Sequence, residues 1–340
     1  MNKISIIGAG AFGFAIAWLL GEKYKGGRKE IYLYDINEEW IDYIQKKRTH
    51  PIFHQQVVLD KSIKVVGPNK LGKIMDEVDL VILSVPSKFL REAVQGLAPY
   101  FNSKSIFLNL AKGIEVETGQ RASEIVMKTL GENVVVGTLS GGMIAQEVTM
   151  GNPLCAEVAF VDLSVAKEVA SFLSSTSLRL DPTTDLVGVE YAGALKNIIA
   201  IGAGIFDGAG YKESSKSACI SYLAGEAEKL ASVLGAQRET FLPGRQAWVG
   251  DLLATCFGGS RNLEFGYLLG QGYKSREAIA IMQKKNKSVE GFWTTKAMAD
   301  IITEKEIEAP LFLELNRIVH RGGQGRDFIK TVMSSGVCQR

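Results

Sequence analysis

Cysteine and histidine, the residues that most often hold structural zinc, are scarce in this sequence. Its 340 residues include four cysteines and three histidines. The cysteines form no CxxC pair and lie close to no histidine: Cys155, Cys219, Cys256 and Cys338. This pattern argues against a metal site of the usual zinc types. It favours reduced thiols and a cytoplasmic location.

The sequence also lacks an excess of charge of either sign. Lysine and arginine number 39 against 37 acidic residues, which leaves a net charge of +2. Without a basic face carrying interleaved aromatic residues, a nucleic-acid partner is not expected. Repeats, coiled-coil heptads and low-complexity linkers are missing too, and a hydrophobic content of 46% is typical of a globular protein.

No segment reads as an export signal or membrane span. The apolar run ISIIGAGAFGFAIAWLL near the N-terminus is preceded only by Lys3 and has no small-residue cleavage site. Regularly spaced glycines interrupt it, which favours a strand, a turn and a helix.

The first half of the chain alternates strands with helices. Helical periodicity covers 11–26, 37–48, 87–100 and 118–130, and the runs between them predict buried strands: KISIIGAG, EIYLYDIN, LVILSVP, SIFLNLA, NVVVGTLSG and AEVAFVDL. This alternation is typical of βαβ units and a parallel sheet.

After DPTTD (181–185) the strand-like runs largely stop. Helical segments follow at 187–207, 214–235, 260–271, 274–286, 291–304 and 308–320. The predicted fold is therefore an α/β Rossmann-type dinucleotide-binding domain over residues 1–185, followed by an all-α substrate domain over residues 186–340. A length of 340 residues also favours two domains.

A glycine-rich turn joins the first strand to the first helix. Its sequence is Gly8-Ala9-Gly10-Ala11-Phe12-Gly13. Glycines at these positions permit a tight turn and let a pyrophosphate approach the helix N-terminus. The strand before and the helix after make the motif far more specific than GxGxxG alone. We therefore predict that Gly8, Gly10, Ala11 and Gly13 bind a dinucleotide.

Asp35 stands at the end of the second predicted strand, 22 residues after Gly13. A carboxylate there can accept hydrogen bonds from an adenosine ribose and repels a 2′-phosphate. A solvated aspartate in a turn is the alternative. Within a βαβ frame we favour ribose binding, and hence NAD over NADP.

Lys196 interrupts the apolar segment GALKNIIAIGAGIFDGAG. Its helical neighbours are mostly small: Ala192, Gly193, Ile199 and Ala200. Burial and a second cation would favour a neutral amine, which can act as an acid or base near neutral pH. The residues alone also permit a lysine that extends its amine to water from the edge of the helix.

Several further motifs occur together in a specific order. They are SVPSKF (84–89), NLAKGIE (109–115), SGGMIAQE (140–147), GALKNIIAIGAGIFDG (193–208), GDLLATC (250–256), GGSRN (258–262) and VEG (289–291). With GAGAFG, they make nearly the whole chain resemble the NAD(P)-dependent glycerol-3-phosphate dehydrogenases. The resemblance implies the two-domain fold above and reversible hydride transfer between the nicotinamide and carbon 2 of dihydroxyacetone phosphate or glycerol 3-phosphate.

The resemblance also implies roles for individual residues. Lys196 matches the active-site lysine, Lys112 contacts substrate and cofactor, and Asp251 and Thr255 orient or neutralise Lys196. Arg261 binds the substrate phosphate and also touches the cofactor; a guanidinium beside helix N–H groups suits this task. The other implied substrate residues are Gly141, Ser260 and Asn262. The other implied cofactor residues are Phe12, Ile36, Phe89, Ala145 and Glu290.

The chain departs from the family in one loop. Gly142 and Met143 stand where bacterial members usually carry proline and a hydroxyl residue, so substrate contact from this loop is in doubt. Where phosphate-accepting relatives often carry arginine, the chain has Asp35 and Ile36, which again favours NAD.

Two alternatives remain beside a cytosolic, homodimeric dehydrogenase that supplies phospholipid backbones. One is a ketopantoate reductase-like enzyme of the same architecture, against which GGSRN argues because ketopantoate carries no phosphate. The other is a catalytically silent NAD-binding sensor, against which the combined presence of Lys196, Lys112 and Asp251 argues.

Overall fold

The computed structural model describes residues 1–335, so Cys338 lies outside the described residues. The chain divides into two compact units. The first comprises Met1–Ala111 and Ala122–Leu186. The second comprises Lys112–Arg121 and the chain from Val187 onward. The sequence placed 112–121 in the first domain, whereas this segment packs with the helical unit, since its Ile114 is part of that unit's core.

The first unit is built on a sheet of eight strands in the order β3-β2-β1-β4-β5-β6-β7-β8. Neighbouring strands are parallel except β6 and β7, which are antiparallel. The strands are β1 Lys3–Ile7, β2 Glu30–Tyr34, β3 Ile63–Val66, β4 Leu80–Leu83, β5 Ile106–Asn109, β6 Val135–Gly141, β7 Leu154–Phe160 and β8 Leu178–Thr183.

Both faces of this sheet are buried, which explains why its strands read as continuous apolar runs. In β4, Leu80 and Ile82 belong to one hydrophobic cluster, whereas Val81 and Leu83 belong to the other. The helices of the unit are α1 Ala11–Lys23, α2 Glu38–Lys47, α3 Leu71–Met75, α4 Leu90–Leu97, α5 Ala122–Leu130, α6 Ala145–Thr149 and α7 Leu163–Leu173.

The second unit is helical in its described part. Its helices are α8 Leu186–Gly208, α9 Glu213–Val233, α10 Asp251–Phe257, α11 Arg261–Gly270, α12 Ser275–Lys284, α13 Glu290–Glu304, α14 Pro310–His320 and α15 Gly325–Ser335. The predicted fold class, a Rossmann-type domain followed by an all-α domain, is thus confirmed.

Helices α8 and α11 approach each other backbone to backbone. A Cβ atom added at Gly204 would lie 2.1 Å from the carbonyl oxygen of Leu263, and one at Gly266 would lie 2.1 Å from that of Ile201. Only glycine fits such spacings. The close packing fixes the start of α11 relative to the middle of α8, which carries Lys196.

Among the described helices, α8 alone is long and apolar enough to cross a membrane by length and hydropathy. However, 94% of its most apolar window is buried within the fold. A buried core helix passes the same test, so α8 is weak evidence for a membrane span.

Candidate active site

The glycines of the turn between β1 and α1 have distinct steric roles. Gly8 has a φ of 106°, and a Cβ there would lie 2.5 Å from the carbonyl oxygen of Ser84. A Cβ on Gly13 would lie 1.9 Å from the carbonyl oxygen of Gly8. Gly10, by contrast, has no atom within 4 Å of its Cβ position. Two glycines therefore close the turn, and Gly10 leaves space beside it.

Gly10 is also the N-cap residue of α1 and offers no side chain to the first N–H groups of the helix. A helix start without a side-chain cap can have its N–H groups satisfied by an anion. The open space at Gly10 and this bare helix start fit the pyrophosphate of a dinucleotide.

The carboxylate of Asp35 fastens the turn to the end of β2. Oδ2 accepts the N–H of Ala9 at 2.7 Å, and Oδ1 accepts the N–H of Asn37 at 2.9 Å. Each carboxylate oxygen keeps a second lone pair, which suits a ribose hydroxyl. Asp35 thus has a structural role in addition to the ribose contact predicted from the sequence.

The other predicted cofactor residues of the first unit differ in exposure. Phe12 and Ala145 are half-buried against the sheet core, and Ala145 begins α6, which packs on α1. Phe89 is 47% exposed, with the ammonium of Lys88 4.4 Å from its ring centroid. Ile36 is 75% exposed.

The loop after β6 has an inward-facing methionine. Gly141 ends β6, and its carbonyl oxygen accepts the N–H of Met143 at 2.7 Å. The Met143 side chain packs in the hydrophobic core of the first unit. Its presence therefore supports packing of the loop.

In the second unit, two lysines form ion pairs with one buried aspartate. Lys196 Nζ lies 2.6 Å from Oδ1 of Asp251, and Lys112 Nζ lies 2.6 Å from Oδ2. Lys196 also donates to Thr255 Oγ1 at 2.7 Å, and that hydroxyl donates to the Asp251 carbonyl at 2.6 Å. Lys196 and Asp251 are buried at 7% and 2% exposure. The ammonium group of Lys196, which is unusual in the apolar helix α8, is thus paired with a carboxylate.

Helix geometry explains how Asp251 and Thr255 act together. They lie four residues apart in α10, so their side chains share one face. One turn of π-helix, Gln246–Gly250, directly precedes Asp251. Such turns inside helices occur often at functional sites, and this one sets where α10 begins.

Burial and charge at this site shift the pKa values of Lys112, Asp251 and the nearby Glu290. The pKa of Lys112 is lowered to about 8, chiefly by burial; the carboxylate of Asp251 opposes this lowering, and the charge of Lys196 adds to it. Burial alone would raise the pKa of Asp251, but the ammonium groups of Lys112 and Lys196 hold it below its ordinary value. Burial raises the pKa of Glu290 against the opposing charges of Arg261, Lys196 and Lys112.

A network of asparagines ties this cluster to the start of α11. Asn197 donates to the carbonyl oxygen of Lys112 at 3.3 Å and accepts from Asn262 Nδ2 at 2.8 Å. Asn262 Oδ1 in turn accepts the N–H of Gly291 at 2.9 Å. The sequence reasoning missed Asn197, although its position beside Lys196 in an apolar helix was a signal.

Arg261 and Ser260 lie at the N-terminus of α11. Ser260 is the N-cap, and its hydroxyl accepts the N–H of Leu263 at 3.2 Å. The exposed guanidinium of Arg261 donates to Ser288 Oγ at 2.8 Å. An exposed guanidinium at a helix start is a suitable site for a phosphate dianion.

The second unit therefore brings together Lys196, Lys112, Asp251, Thr255 and Asn262. It also places Glu290 within electrostatic range of both lysines and of Arg261. Among the described residues, no group of three or more His, Cys, Asp and Glu side chains could hold a metal ion.

Comparison with known proteins identifies the family to which the chain belongs. The models of the N-terminus and the C-terminus of NAD-dependent glycerol-3-phosphate dehydrogenase match residues 3–166 and 185–330. The chain belongs to the glycerol-3-phosphate dehydrogenase family. It is an NAD(P)-dependent oxidoreductase.

Individual glycerol-3-phosphate dehydrogenases match along the whole chain. The chain is 32% identical over 336 residues to glycerol-3-phosphate dehydrogenase [NAD(P)+] of Staphylococcus aureus strain JH9, covering 98% of each sequence. The crystal structure of glycerol-3-phosphate dehydrogenase from Coxiella burnetii superposes with a TM-score of 0.89 at 27% identity, covering 98% of this chain and 99% of that one.

A Plasmodium falciparum glycerol-3-phosphate dehydrogenase structure has the same fold. Its TM-score is 0.89 at 24% identity, and the match covers 99% of this chain and 97% of that one.

Proposed function

We propose that this chain interconverts dihydroxyacetone phosphate and sn-glycerol 3-phosphate, with NAD as the preferred cofactor. The observation that carries the proposal is the buried cluster in which Lys196 and Lys112 share the carboxylate of Asp251. The bound nicotinamide supplies or accepts the hydride at carbon 2 of the substrate. Gly8, Gly10, Ala11 and Gly13 would hold its pyrophosphate, and Asp35 its ribose.

Lys196 is the proposed general acid and base. Reducing a ketone places negative charge on its oxygen, and a buried ammonium can neutralise that charge by donating a proton. Asp251 and Thr255 hold Nζ in place with bonds of 2.6 and 2.7 Å. In the oxidation direction, the neutral amine takes the hydroxyl proton back.

Lys112 is proposed to supply a second positive charge near the substrate oxygen. Two ammonium groups and one carboxylate leave the cluster with a net charge of +1, which stabilises a developing alkoxide. With a pKa lowered to about 8, Lys112 can also exchange a proton with solvent near neutral pH. Its side chain is more exposed than that of Lys196, at 17% against 8%.

The decisive assay is the loss of NADH absorbance when dihydroxyacetone phosphate is added, repeated with ketopantoate. Oxidation with the phosphorylated ketone alone supports the proposal. Oxidation with ketopantoate alone would establish the reductase alternative, and oxidation with neither would establish an NAD-binding sensor. The exposed guanidinium of Arg261 favours the phosphorylated substrate, since ketopantoate offers it no phosphate.

Arg261→Ala is expected to raise the KM for dihydroxyacetone phosphate about 10- to 100-fold, as for the loss of one charge-assisted contact to phosphate. The KM for NADH should change much less. Steady-state kinetics with each reactant varied in turn measures both constants. Arg321→Ala, a change in an exposed arginine after α14, is the matched control. An unchanged KM for dihydroxyacetone phosphate would show that Arg261 does not bind the substrate phosphate.

NADH is expected to give a higher kcat/KM than NADPH, by at least about tenfold. The reason is repulsion between the Asp35 carboxylate and a 2′-phosphate. Comparing the two cofactors at fixed dihydroxyacetone phosphate measures the ratio. Equal efficiency, or a preference for NADPH, would contradict the assignment of Asp35.

The cellular role forms a further part of the proposal. A cytoplasmic enzyme that reduces dihydroxyacetone phosphate would supply the backbone of glycerophospholipids. A homodimer is consistent with the partly exposed apolar side chains that the second unit carries, such as Tyr222, Leu253 and Trp293. Light scattering of the purified protein would measure the oligomeric state.

A further inference from the structure

The segment between α2 and β3 forms a closed loop beside the turn between β1 and α1, Gly8–Gly13, which we call the phosphate turn. Arg48 ends α2 in a left-handed conformation, and its backbone oxygen accepts the N–H of Leu59 at 2.7 Å. Its guanidinium donates to the carbonyl oxygens of Asp60 and Ile63. These bonds join the two ends of the loop and make it a fixed part of the first unit.

His54 lies within this loop in a conformation that non-glycine residues seldom adopt. Its φ is 51°, and such a left-handed conformation requires support from surrounding contacts. The ring stacks on Phe14 of α1, with centroids 6.0 Å apart and planes 15° apart. The strained backbone therefore serves to place an imidazole against the first turns of α1.

The imidazole of His54 bonds to the phosphate turn itself. Its Nε2 lies 3.0 Å from the carbonyl oxygen of Ala11, the first residue of α1. Because a carbonyl oxygen only accepts, Nε2 carries the proton and Nδ1 is the free acceptor. Nδ1 lies 3.4 Å from Thr149 Oγ1 at the end of α6. The ring thus lies between the phosphate turn and α6.

A second histidine of the same loop, His50, is fully buried. Its Nδ1 accepts the N–H groups of Ile52 and Phe53 at 3.1 and 3.0 Å, so the proton is on Nε2. That Nε2 is buried without a hydrogen-bond partner among the described residues. Burial lowers the pKa of His50 to about 4, and the nearby backbone carbonyl of Ala9 opposes this lowering. Of these two histidines, His54 is therefore the one that bonds to a carbonyl group of the phosphate turn within the described residues.

We infer that His54 is a positioning residue for the cofactor site. By donating to the Ala11 carbonyl, it fixes the peptide groups at the start of α1 in the orientation that binds pyrophosphate. Such preorganisation strengthens binding because less conformational freedom is lost when the ligand binds. The inference rests on the proposed binding of the dinucleotide at Gly8–Gly13.

Two substitutions distinguish the effect of the His54 hydrogen bond from the effect of its left-handed backbone conformation. His54→Asn tolerates the left-handed conformation but is too short to reach the Ala11 carbonyl, whereas His54→Gln carries an amide N–H at the distance of Nε2. Asn should raise the Kd and KM for NADH about tenfold, as for the loss of one buried hydrogen bond. Gln should stay within about threefold of the wild type.

The experiment is a fluorescence titration of each full-length protein with NADH, followed by kinetics with dihydroxyacetone phosphate. The inference predicts that kcat at saturating NADH and the KM for the ketone remain within about twofold in both variants, because one positioning bond of this strength affects cofactor binding alone. An unchanged Kd in His54→Asn would overturn it. Equal weakening by Asn and Gln would also overturn it and assign His54 a general packing role.

Gly10→Ala distinguishes failure of this inference from failure of the proposed cofactor site. A Cβ at Gly10 meets no protein atom within 4 Å, so the variant should fold while occupying space beside the turn. Weak NADH binding by Gly10→Ala together with normal binding by His54→Asn would refute only the role of His54. Normal binding by Gly10→Ala would refute the cofactor site and, with it, the inference. The titration needs no substrate, so it is decisive whichever ketone the enzyme reduces.

Discussion

Lys196→Met is expected to lower kcat with dihydroxyacetone phosphate by at least about 1000-fold, while NADH still binds. Methionine keeps much of the volume of lysine in a site that is 7% exposed, but it can neither donate a proton nor neutralise an alkoxide. General acid catalysis and electrostatic stabilisation each contribute factors of about 100 or more, so losing both in one residue should nearly abolish turnover. Steady-state kinetics and NADH titration measure the two effects separately.

Lys216→Met is a matched control for this variant. Lys216 is also 7% exposed in the second unit, and it pairs with Asp207 at 3.0 Å as Lys196 pairs with Asp251. Lys196→Met leaves the buried carboxylate of Asp251 with Lys112 alone, and Lys216→Met takes the lysine from the half-buried Asp207, so both should lower thermal stability. Only Lys196→Met should abolish turnover. Near-normal activity of Lys196→Met would refute the assignment, and equal losses in the two variants would indicate a structural cause.

Asp251→Asn is expected to lower kcat/KM by about 100- to 1000-fold and to move the basic limb of its pH profile to lower pH. The amide removes the negative charge that is bonded directly to both Lys112 and Lys196. The carboxylate of Asp251 opposes the lowering of the Lys112 pKa by burial and by Lys196, so its loss takes that pKa further below about 8. Loss of the carboxylate that both lysines share also misplaces Lys196 and destabilises the site by a few kcal/mol.

The basic limb of the pH profile should move in one direction only, towards lower pH. A lysine whose pKa falls loses its proton at lower pH, so activity that depends on ammonium groups should decline at lower pH in the variant. Kinetics between pH 6 and 9 measure the limb, and thermal unfolding gives the loss of stability. Asp207→Asn, which removes the partner of Lys216, is the control. An unshifted limb in Asp251→Asn would show that the cluster does not govern the pH dependence.

The strands of the sheet and the phosphate turn could be predicted because local patterns determine them. The six apolar runs predicted as strands became β1, β2, β4, β5, β6 and β7, and Gly8 and Gly13 of the turn have steric needs that no other residue meets. Strand β3 has the exposed Lys64 among its four residues and so lacks a continuous apolar run, and β8 contains Pro182, which argues against a strand. Both strands form because a neighbouring strand offers hydrogen-bond partners, which is information that a local pattern lacks.

The candidate site was predictable where a residue was unusual in its local setting. A lysine in an apolar helix and an arginine after two glycines both stand out in the sequence. The bond of Asn197 to the carbonyl of Lys112 joins residues 85 positions apart, and the bond of His54 to Ala11 spans 43. Neither histidine nor asparagine has a local pattern that reveals such a partner, so only the folded chain identifies their roles.

The membership of Lys112–Arg121 in the helical unit has a consequence for dividing this protein. A fragment cut at the change from strands to helices, residues 186–340, would contain Lys196, Asp251 and Thr255 but not Lys112. In such a fragment Asp251 would face one ammonium group instead of two, and Ile114 would leave a gap in the core. Residues 186–340 thus do not form a complete helical unit. To exchange the whole helical unit between two such proteins, Lys112–Arg121 would have to be exchanged as well, with one further junction before this segment and another after it.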